Sequence, residues 1–461
     1  MPRPGFALIA PLPAASPAAR ADAGSGSSAT VAGINLIGYA TANFSLGNTL
    51  RHVASALRAR GVPISVLDLP QARQAQGRDE SLRAYEVATP EALPYEVNLF
   101  CLPVSGIVDL LLHPDAFRFR WNDRLNIALI FWELPRMPAH WSAALSAFDA
   151  VLCSSWFIRE TVAAHVPNAL AIYMPYPLVM PPIIPVARAA HGIPDEAFVF
   201  YFSFDPFSGI ERKNPGAILD AFKRAFAGAP GYHLAIKMNV PPTRAAALPA
   251  SARRFAAACG NAPNVTLISA SMPYGEALGL AQACDCFVSL HRSEGLGMAP
   301  MEAMLMGIPV IMTAWSGGMS YADSTSACLV PASLVDLGRG RNEFHSSFMR
   351  GRTLWAEPSV NAAAYWMKKM AFDVDFRKRV AASGHERMTR YLREAAGCRF
   401  VEEIAQLPPL KAAGALHAPD LRATRRGILR AARFNPGWRM HRVRAFFNRH
   451  LLWRFARLGA A

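Results

Sequence analysis

The amino-acid sequence predicts an α/β protein of two doubly wound domains, and three observations lead to this fold class. The chain has 461 residues, of which 52% are apolar and 18% charged, so it can bury two sizeable cores. Short, continuous apolar runs alternate with longer helical stretches, a pattern typical of parallel strands buried on both faces. A segment with five prolines, residues 175–185, divides the runs into two series and predicts a linker between domains.

Each of the two series supplies six predicted strands. In the first domain these are residues 33–37, 63–67, 97–101, 127–131, 150–153 and 169–173. In the second domain they are residues 198–202, 234–237, 265–268, 286–290, 309–312 and 328–330. The predicted helices between them include residues 47–60, 215–226 and 274–283. Ligands of such sheets bind beyond the carboxyl ends of the strands, so we expect the site in a cleft between two facing domains.

The ends of the chain complete the predicted organisation. The apolar piece 6–10 is too short for a secretory signal, and no apolar run reaches the roughly 18 residues of a membrane span. A helical pattern follows Asn361, and Pro408-Pro409 is expected to break it. The predicted segments are a disordered leader (1–32), a first Rossmann-like domain (33–180), a second one (186–385), a helix returning toward the first domain (386–410) and a basic tail (411–461).

The positive charge of the chain is concentrated in the tail. The net charge is +15, and residues 411–461 hold one Lys, eleven Arg and one Asp, a net charge of +11. Nucleic-acid binding by the folded domains is therefore disfavoured, because their own surface lacks the basic excess. An apolar stripe at helical spacing runs through Met440, Val443, Phe447, Leu451, Phe455 and Leu458. Such a basic amphipathic helix suits an anionic membrane surface, although nucleic-acid binding or a solvated extension remain alternatives.

The cysteines indicate reduced thiols. Seven are scattered over the chain, an odd number that favours the cytoplasm over a disulfide framework. Cys284 and Cys286 form the only close pair, and no second Cys or His pair follows to complete a zinc site. We expect both to fill space in a buried strand.

The most informative stretch is residues 291–310. Glu294 is predicted to lie in a loop after a buried strand, while Pro300 suits the first position of a helix that Gly307 ends. Glu302 is then expected in the first turn of that helix. A carboxylate can accept hydrogen bonds from two vicinal hydroxyls of a sugar, and free N–H groups at a helix start can hold a diphosphate. The alternative is a solvated loop acid and an acid that stabilises the helix dipole.

This stretch resembles a known motif. Glu294-x7-Glu302, followed by Ala303-Met304 and residues 307–310, is similar to the nucleotide-sugar motif of the retaining GT-B glycosyltransferases called family 4 (glycosyltransferase group 1). The resemblance covers about residues 33–400 and implies a GT-B fold. It also implies that Glu294 binds hydroxyls of the donor sugar and Glu302 the ribose diol. The backbone expected beside the sugar and phosphates is that of Gly295, Leu296, Gly297 and Met298.

Basic residues of the second domain form a predicted diphosphate clamp. Lys213 is expected in a loop before a helix, where a lysine can neutralise a leaving diphosphate. The family carries an additional Arg near the preceding strand end, and this sequence has residues 205–208 there instead. Either Arg212 or Lys237 is expected to replace it. A solvated turn is the alternative for Arg212 and Lys213.

Two segments of the first domain are candidates for the donor phosphate or acceptor. Residues 38–48 resemble the first-domain glycine loop of the family, and Gly47 would let backbone approach the substrate. This spacing does not match the G-x-G-x-x-G fingerprint of nicotinamide dehydrogenases. Trp132-Glu133 resembles a segment of bacterial polysaccharide transferases, so Glu133 could line an acceptor site; a core Trp132 with a capping Glu133 is equally compatible. His113 is expected to be structural, and no general base is assigned.

The resemblance implies a hexosyltransferase of cell-surface polysaccharide synthesis. It would use a nucleotide diphosphate sugar and a glycan or lipid-linked acceptor, with no nucleic-acid partner, at the cytoplasmic face of the cell membrane. The sequence shows no convincing nucleophile, and the resemblance implies retention through front-side attack assisted by the leaving phosphate. No D-x-D motif follows a strand of the first domain, so we predict catalysis without metal or cofactor. The alternatives are a non-catalytic sugar-nucleotide-binding or membrane scaffold protein of the same fold, and a GT-B epimerase or phosphorylase.

Overall fold

The computed structural model describes residues 31–42, 45–69, 79–113, 118–226, 228–337, 353–412 and 420–432. These residues form two compact units. The first unit contains the residues up to Pro177 and those from Leu392 onward, and the second contains Leu178 to Tyr391. The predicted leader up to residue 30 and the amphipathic stripe between Met440 and Leu458 lie outside the described residues.

The first unit is built on a parallel sheet of six strands in the order β2-β1-β3-β4-β5-β6. The strands are β1 (Ile34–Gly38), β2 (Ile64–Asp68), β3 (Val97–Cys101), β4 (Leu125–Ile130), β5 (Ala150–Cys153) and β6 (Leu170–Tyr173). The helices between them are α1 (Ser45–Ala59), α2 (Val104–Leu112), α3 (Ala139–Leu145) and α4 (Trp156–His165). All residues of β1, β3, β4 and β5 are buried, as expected of strands covered on both faces.

The second unit has a parallel six-stranded sheet in the order β12-β11-β10-β7-β8-β9. Its strands are β7 (Phe198–Phe204), β8 (Tyr232–Met238), β9 (Val265–Ser269), β10 (Cys286–Ser289), β11 (Val310–Thr313) and β12 (Cys328–Val330). Its helices are α5 (Ile210–Lys213), α6 (Pro215–Phe226), α7 (Ala250–Gly260), α8 (Tyr274–Gln282), α9 (Met298–Leu305), α10 (Val360–Phe372) and α11 (Val374–Ala396). The two sheets confirm the predicted fold class, and every predicted strand is present with bounds shifted by at most two residues.

An antiparallel ribbon in the second unit was not expected. It pairs β13 (Ala332–Asp336) with β14 (Leu354–Pro358). Polar residues at Ser333, Asp336 and Glu357 interrupt the apolar pattern, so neither strand reads as a buried run.

The return of the chain to the first unit also differs from expectation. Helices α12 (Arg399–Ala405), α13 (Leu407–Ala412) and α14 (Leu421–Ala432) follow α11. A helix ends just before Pro408-Pro409, at Ala405, close to the predicted break. The new helix was not expected: both prolines lie in the first turn of α13, where backbone N–H groups have no intrahelical partner. Lys411 anchors this helix, since its Nζ donates to Asp149 Oδ2 at 2.7 Å. Helix α14 packs on α2 and α3 and buries Leu421, Ile428 and Ala432.

A row of buried asparagines fixes the register of three strands in the first unit. Asn35 Nδ2 donates to Asn98 Oδ1 at 2.9 Å, and Asn98 Nδ2 donates to Asn126 Oδ1 at 3.0 Å. Asn126 Nδ2 in turn donates to the Arg124 carbonyl at 2.8 Å. The polar groups are thereby satisfied inside the core, where an unpaired amide would be costly.

All seven cysteines are buried, and none forms a disulfide. Cys286 belongs to β10 and Cys284 precedes it, both packed inside the second unit. Burial raises the pKa of the Cys284 thiol to about 12, so it behaves as an apolar filler.

Candidate active site

The loop between β10 and α9 carries the predicted motif. Gly297 adopts φ +85°, a left-handed conformation, and α9 begins immediately after it. Pro300 is therefore the third helical residue rather than the first, and Glu302 lies in the second turn rather than the first. The helix starts earlier than expected because the glycine, and not the proline, sets its first residue. It ends at Leu305, and Gly307 follows with φ +73°, as the sequence predicts.

Two cations meet the Glu294 carboxylate. Arg212 Nη1 lies 2.8 Å from Oε2, and Lys213 Nζ lies 2.5 Å from Oε1. Arg212 Nη1 also donates to the carbonyl of Ser293 at 3.0 Å. The structure therefore brings together three of the predicted site residues in one hydrogen-bonded group, which we call the Glu294 cluster.

The charge of Glu294 is fixed by this pairing. Burial alone would raise the pKa of its carboxyl, but the attraction of Arg212 and Lys213 outweighs it and holds the pKa far below the usual range. His291, buried beside them, has a lowered pKa because its charged form is poorly solvated there. Glu294 is thus an ionised hydrogen-bond acceptor at neutral pH.

Arg212 and Lys213 lie in the short helix α5 and not in the loop that the sequence predicts. Gly209 (φ +93°) starts the helix and Asn214 (φ +52°) ends it, both in left-handed conformations. Asn214 tolerates this conformation, and its Nδ2 donates to the Leu290 carbonyl at 3.0 Å. A helix of four residues is too short to show a helical pattern in the sequence, so α5 could not be predicted.

Lys237, the other candidate for the second cation, lies at the end of β8 and is buried. Burial lowers the pKa of its amine, and the charge of Asp205 opposes that effect. The pKa of Asp205 is itself raised by burial, against the attraction of Arg244, Lys213 and Arg212. Of the two candidates for the second cation, Arg212 is the one that contacts Glu294 together with Lys213. Lys237 interacts electrostatically with Asp205, which also attracts Arg212 and Lys213.

The segment after β11, residues 316–321, forms hydrogen bonds that hold the motif loop in place. The N–H of Glu294 donates to Ser316 Oγ at 2.9 Å, and the N–H of Gly317 donates to the Glu294 carbonyl at 2.9 Å. The hydroxyl of Tyr321 donates to the Gly297 carbonyl at 2.7 Å. A Cβ at Gly317 would lie 2.0 Å from the carbonyl oxygen of Gly295, so only glycine allows the two segments to approach this closely.

Glu302 has different surroundings from Glu294. It lines a small pocket together with Tyr201, Ser203, Tyr274 and Phe287. The hydroxyl of Tyr274 donates to Glu302 Oε1 at 2.6 Å. Burial raises the pKa of Glu302, and the Tyr274 hydrogen bond opposes that rise. Glu302 therefore presents a carboxyl at the wall of an opening.

Arg292 ties the Glu294 cluster to the ribbon. Its guanidinium pairs with Glu357 of β14 through two hydrogen bonds, at 2.7 and 2.9 Å. Nη1 donates to the Glu211 carbonyl at 2.6 Å, and the backbone N–H of Arg292 donates to the Arg212 carbonyl at 2.8 Å. The last carbonyls of α5 thus find their partners on Arg292.

The first-unit candidates lie in another unit from the Glu294 cluster. Gly47 is in α1, and a Cβ there would lie 2.0 Å from the Ala42 carbonyl oxygen, so this glycine permits a close turn. Glu133 follows β4 and is half-buried. Trp132 is buried, and its Nε1 donates to the Arg136 carbonyl at 2.8 Å, so its ring belongs to the core.

Four residues of the site were not found by sequence reasoning: Tyr274, Arg292, Ser316 and Tyr321. Their partners come from segments more than twenty positions away in the chain. Arg292 adjoins the motif, yet no spacing marks it. Ser316 could have been predicted only from the pairing of β10 with β11. The loops that follow two neighbouring parallel strands lie at the same edge of the sheet.

The described residues contain neither a metal-binding group nor a membrane-spanning helix. No group of three or more His, Cys, Asp or Glu side chains there could hold a metal ion. No helix in that part of the chain combines the length and hydropathy of a membrane span.

The two parallel six-stranded sheets and the site in the loop after β10 place this protein among proteins of the GT-B fold. Residues 210–328, which include Lys213, Glu294 and Glu302, match the family model described as glycosyl transferases group 1. The match confirms the predicted resemblance to group 1 glycosyltransferases. None of the curated proteins matches the sequence.

Solved structures share the fold over most of the chain. Anabaena Alr3699/HepE, in complex with UDP and glucose, is 12% identical, with a TM-score of 0.56, over 81% of this chain and 99% of its own. Sucrose-phosphate synthase from Thermosynechococcus elongatus is 16% identical, with a TM-score of 0.54, over 83% and 99%. An α,α-trehalose 6-phosphate synthase from Burkholderia multivorans is 10% identical, with a TM-score of 0.54, over 85% and 99%.

Proposed function

We propose that the protein is a retaining glycosyltransferase that moves a hexose from a nucleotide diphosphate sugar to a glycan or lipid-linked acceptor. The observation that carries the proposal is the Glu294 cluster, an ionised carboxylate and two cations beside the start of α9. This cluster lies within the group 1 glycosyltransferase segment. An acceptor of hydroxyl hydrogen bonds beside cations for a diphosphate is the recognition that such a donor requires.

The donor is bound by the second unit in this proposal. Glu302 accepts the ribose hydroxyls, and Glu294 accepts hydroxyls of the hexose. The first N–H groups of α9, at Met298 and Ala299, have no side-chain cap and face the diphosphate. Lys213 gives one of its three hydrogens to Glu294 and has two left for phosphate oxygens.

Glu294 does not act as the general base in this proposal. Its pKa is held far below the usual range, and a carboxylate of that kind is a poor proton acceptor at neutral pH. The acceptor hydroxyl attacks the anomeric carbon on the face from which the diphosphate departs. The C–O bond to the acceptor forms, the C–O bond to the phosphate breaks, and the proton passes to the departing phosphate oxygen. Arg212 and Lys213 stabilise the charge that develops there.

The names of the similar structures support a nucleotide-sugar donor. Alr3699/HepE has been crystallised with UDP and with UDP-glucose, and the others include synthases of sugar phosphates. Their identities of 10–16% leave the sugar, the base and the acceptor to experiment.

The basic C-terminal part of the chain supports the membrane location in this proposal. We place the enzyme in cell-surface polysaccharide synthesis, peripheral at the cytoplasmic face of the membrane. The net charge of +11 over residues 411–461 supports attraction to anionic lipid. The first unit would take the acceptor, with Glu133 and the Gly47 turn at the carboxyl ends of its strands.

The test is release of nucleotide from a panel of UDP- and GDP-sugars, with and without a candidate acceptor. Glu294→Gln should reduce release by at least about 10-fold, since it removes the charge that strengthens the donor hydrogen bonds. Glu196→Gln, an exposed acid of the same unit, is the matched control and should behave as the unsubstituted protein. Release that is unaffected by EDTA is expected if no metal takes part.

The outcomes separate the alternatives. No nucleotide release with any donor, combined with tight nucleotide binding, would identify a scaffold protein. Release of an epimerised sugar, or of sugar phosphate from a glycan, would identify an epimerase or a phosphorylase. Full activity of Glu294→Gln would remove Glu294 from the site.

A further inference from the structure

The hydrogen bond between Tyr274 and Glu302 joins two helices at the cavity. Tyr274 is the first residue of α8, following Pro273, and Glu302 lies in the second turn of α9. The phenolic oxygen is 2.6 Å from Glu302 Oε1. Both residues line the cavity, and Glu302 is half-buried there. Tyr274 thus holds one carboxylate oxygen in place at the edge of an accessible opening.

The second carboxylate oxygen, Oε2, has no hydrogen-bond donor among the described residues. The first oxygen has one, so the carboxylate is oriented with Oε2 available for a ligand. A carboxylate can accept a hydrogen bond from each of two neighbouring hydroxyls when both oxygens are charged. The geometry suits a vicinal diol that approaches from the cavity side.

Few groups other than Tyr274 influence the charge of Glu302. Whereas two cations neutralise Glu294, no ion pair joins Glu302 within the described part of the chain. From β7 it is faced by Tyr201 and from the segment after β11 by Tyr321, both neutral phenols with pKa values raised by burial and by nearby acids, Glu302 among them. Tyr274 on α8 is therefore the hydrogen-bond donor that favours the ionised carboxylate.

We propose that Tyr274 is a positioning residue for nucleotide binding, which orients Glu302 and keeps it ionised so that it can accept both hydroxyls of the ribose. The proposal rests on the proposed function, because it takes Glu302 as the ribose acceptor. It adds a residue that no motif indicates and a dependence of donor binding on pH.

The direction of the pH dependence follows from the environment of Glu302. Its pKa is raised by burial, so the protonated acid forms as the pH falls toward that pKa, and a protonated carboxyl accepts fewer hydrogen bonds. Removing the phenolic donor raises the pKa further. The loss of nucleotide affinity on the acid side should then begin at a higher pH in Tyr274→Phe than in the unsubstituted protein.

The experiment is calorimetric titration of the full-length protein with UDP, GDP and their 2′-deoxy forms between pH 5.5 and 8.5. We expect Tyr274→Phe to bind the tighter nucleotide about 10-fold more weakly near the acid end, since a hydrogen bond to a charged group is lost. The difference should shrink as the pH rises. Tyr365→Phe is the matched control, because Tyr365 is an exposed tyrosine of the same unit and does not line the pocket. The pH at which this variant begins to lose nucleotide affinity should be the same as in the unsubstituted protein.

A measurement on the unsubstituted protein keeps the proposal testable if Tyr274→Phe folds poorly. The affinity ratio of the nucleotide to its 2′-deoxy form should fall as the pH falls, because the contribution of the hydroxyl depends on the charge of Glu302. Both ligands carry the same diphosphate, so its own titration cancels in the ratio.

The failures are distinguishable. If Tyr274→Phe shows the affinity and acid limb of the unsubstituted protein while Glu302→Gln binds weakly, the role of Tyr274 is wrong and the proposed function stands. If Glu302→Gln binds nucleotide normally, the ribose site itself is wrong. A ratio that does not change with pH also overturns the proposal.

Discussion

Glu294 and Glu302 show how far local surroundings separate two identical side chains. Glu294 contacts Arg212 and Lys213 and has its pKa held far down, whereas Glu302 contacts a phenol and has its pKa raised by burial. Such a divergence indicates different roles for two acids in one site. Glu294 stays charged at neutral and mildly acidic pH, so a loss of donor affinity at low pH is assigned to protonation of Glu302.

At the residue scale, Gly317→Ala tests whether the motif loop must keep its present place. The new Cβ would lie 2.0 Å from the Gly295 carbonyl oxygen and 2.6 Å from the Leu296 nitrogen, both backbone atoms that must then move. We expect nucleotide release to fall at least 10-fold, and the free energy of unfolding to drop by about 1–3 kcal/mol, as for overpacking elsewhere. Steady-state release and thermal unfolding measure the two effects.

Gly216→Ala provides the matched control for that substitution. Gly216 lies in α6, and a Cβ there has no heavy atom within 4 Å. Its activity should be unchanged, and its stability equal or higher by up to about 1 kcal/mol. Normal activity of Gly317→Ala would show that the loop position is unimportant for the donor.

The residues that sequence reasoning found and missed differ in where their partners lie. Glu294, Glu302 and Lys213 belong to local patterns with a recognisable spacing. Tyr274 meets its partner 28 positions away and Arg292 meets Glu357 65 positions away, so their roles depend on the fold. A lone tyrosine or arginine carries no signal until the elements that it joins are placed.

At the scale of elements, the short helix α5 depends on Arg292. Four residues cannot form a stable helix alone, and the guanidinium of Arg292 satisfies the Glu211 carbonyl. The Arg212 carbonyl accepts from the backbone N–H of Arg292, which a substitution keeps. Arg292→Gln should therefore displace the two cations of α5, Arg212 and Lys213. We expect release to fall several-fold and the free energy of unfolding to fall by about 2 kcal/mol, the loss of hydrogen bonds to a charged group.

Glu357→Gln separates the role of α5 from that of the ribbon. This variant weakens the contact to β14 but leaves the hydrogen bond from Arg292 to the Glu211 carbonyl. Its activity should exceed that of Arg292→Gln when both are measured in the same release assay. Equal losses in the two variants would place the effect in the ribbon and not in α5.

The elements that the sequence predicted best are those whose pattern is self-contained. All twelve parallel strands are predicted because each contains a short apolar run, although the edge strands β6 and β9 are only partly buried. The ribbon is not predicted because Ser333, Asp336 and Glu357 interrupt the apolar pattern of its strands. Helix α13 is not predicted because two adjacent prolines are typical of the end of a helix as well as of its start. Tertiary contacts decide such segments, and a local pattern does not contain them.

At the scale of the whole molecule, the chain after Tyr391 belongs to the first unit. Helix α14 buries apolar residues against α2 and α3, and Arg425 donates to the Leu112 carbonyl at 2.5 Å. A truncation near Leu410, where the predicted basic tail begins, would remove this packing. The test of membrane binding is better made by ending the chain after Ala432.

Removal of residues 433–461 should weaken binding to anionic vesicles without unfolding the first unit. The segment carries seven arginines and no acidic residue, and each basic residue near the surface contributes about 1 kcal/mol. Cosedimentation with vesicles of anionic and of neutral lipid measures the effect, and thermal unfolding is the control. Equal binding of both proteins to anionic vesicles would defeat the membrane proposal.

The most direct test of the proposed donor site is a crystal structure of the full-length protein with UDP-glucose or with GDP-mannose, whichever it hydrolyses faster. We predict the ribose hydroxyls on Glu302, the diphosphate at the start of α9 beside Lys213, and the hexose against Glu294. A nucleotide bound away from the second unit, or bound there without touching either carboxylate, would contradict the proposed function.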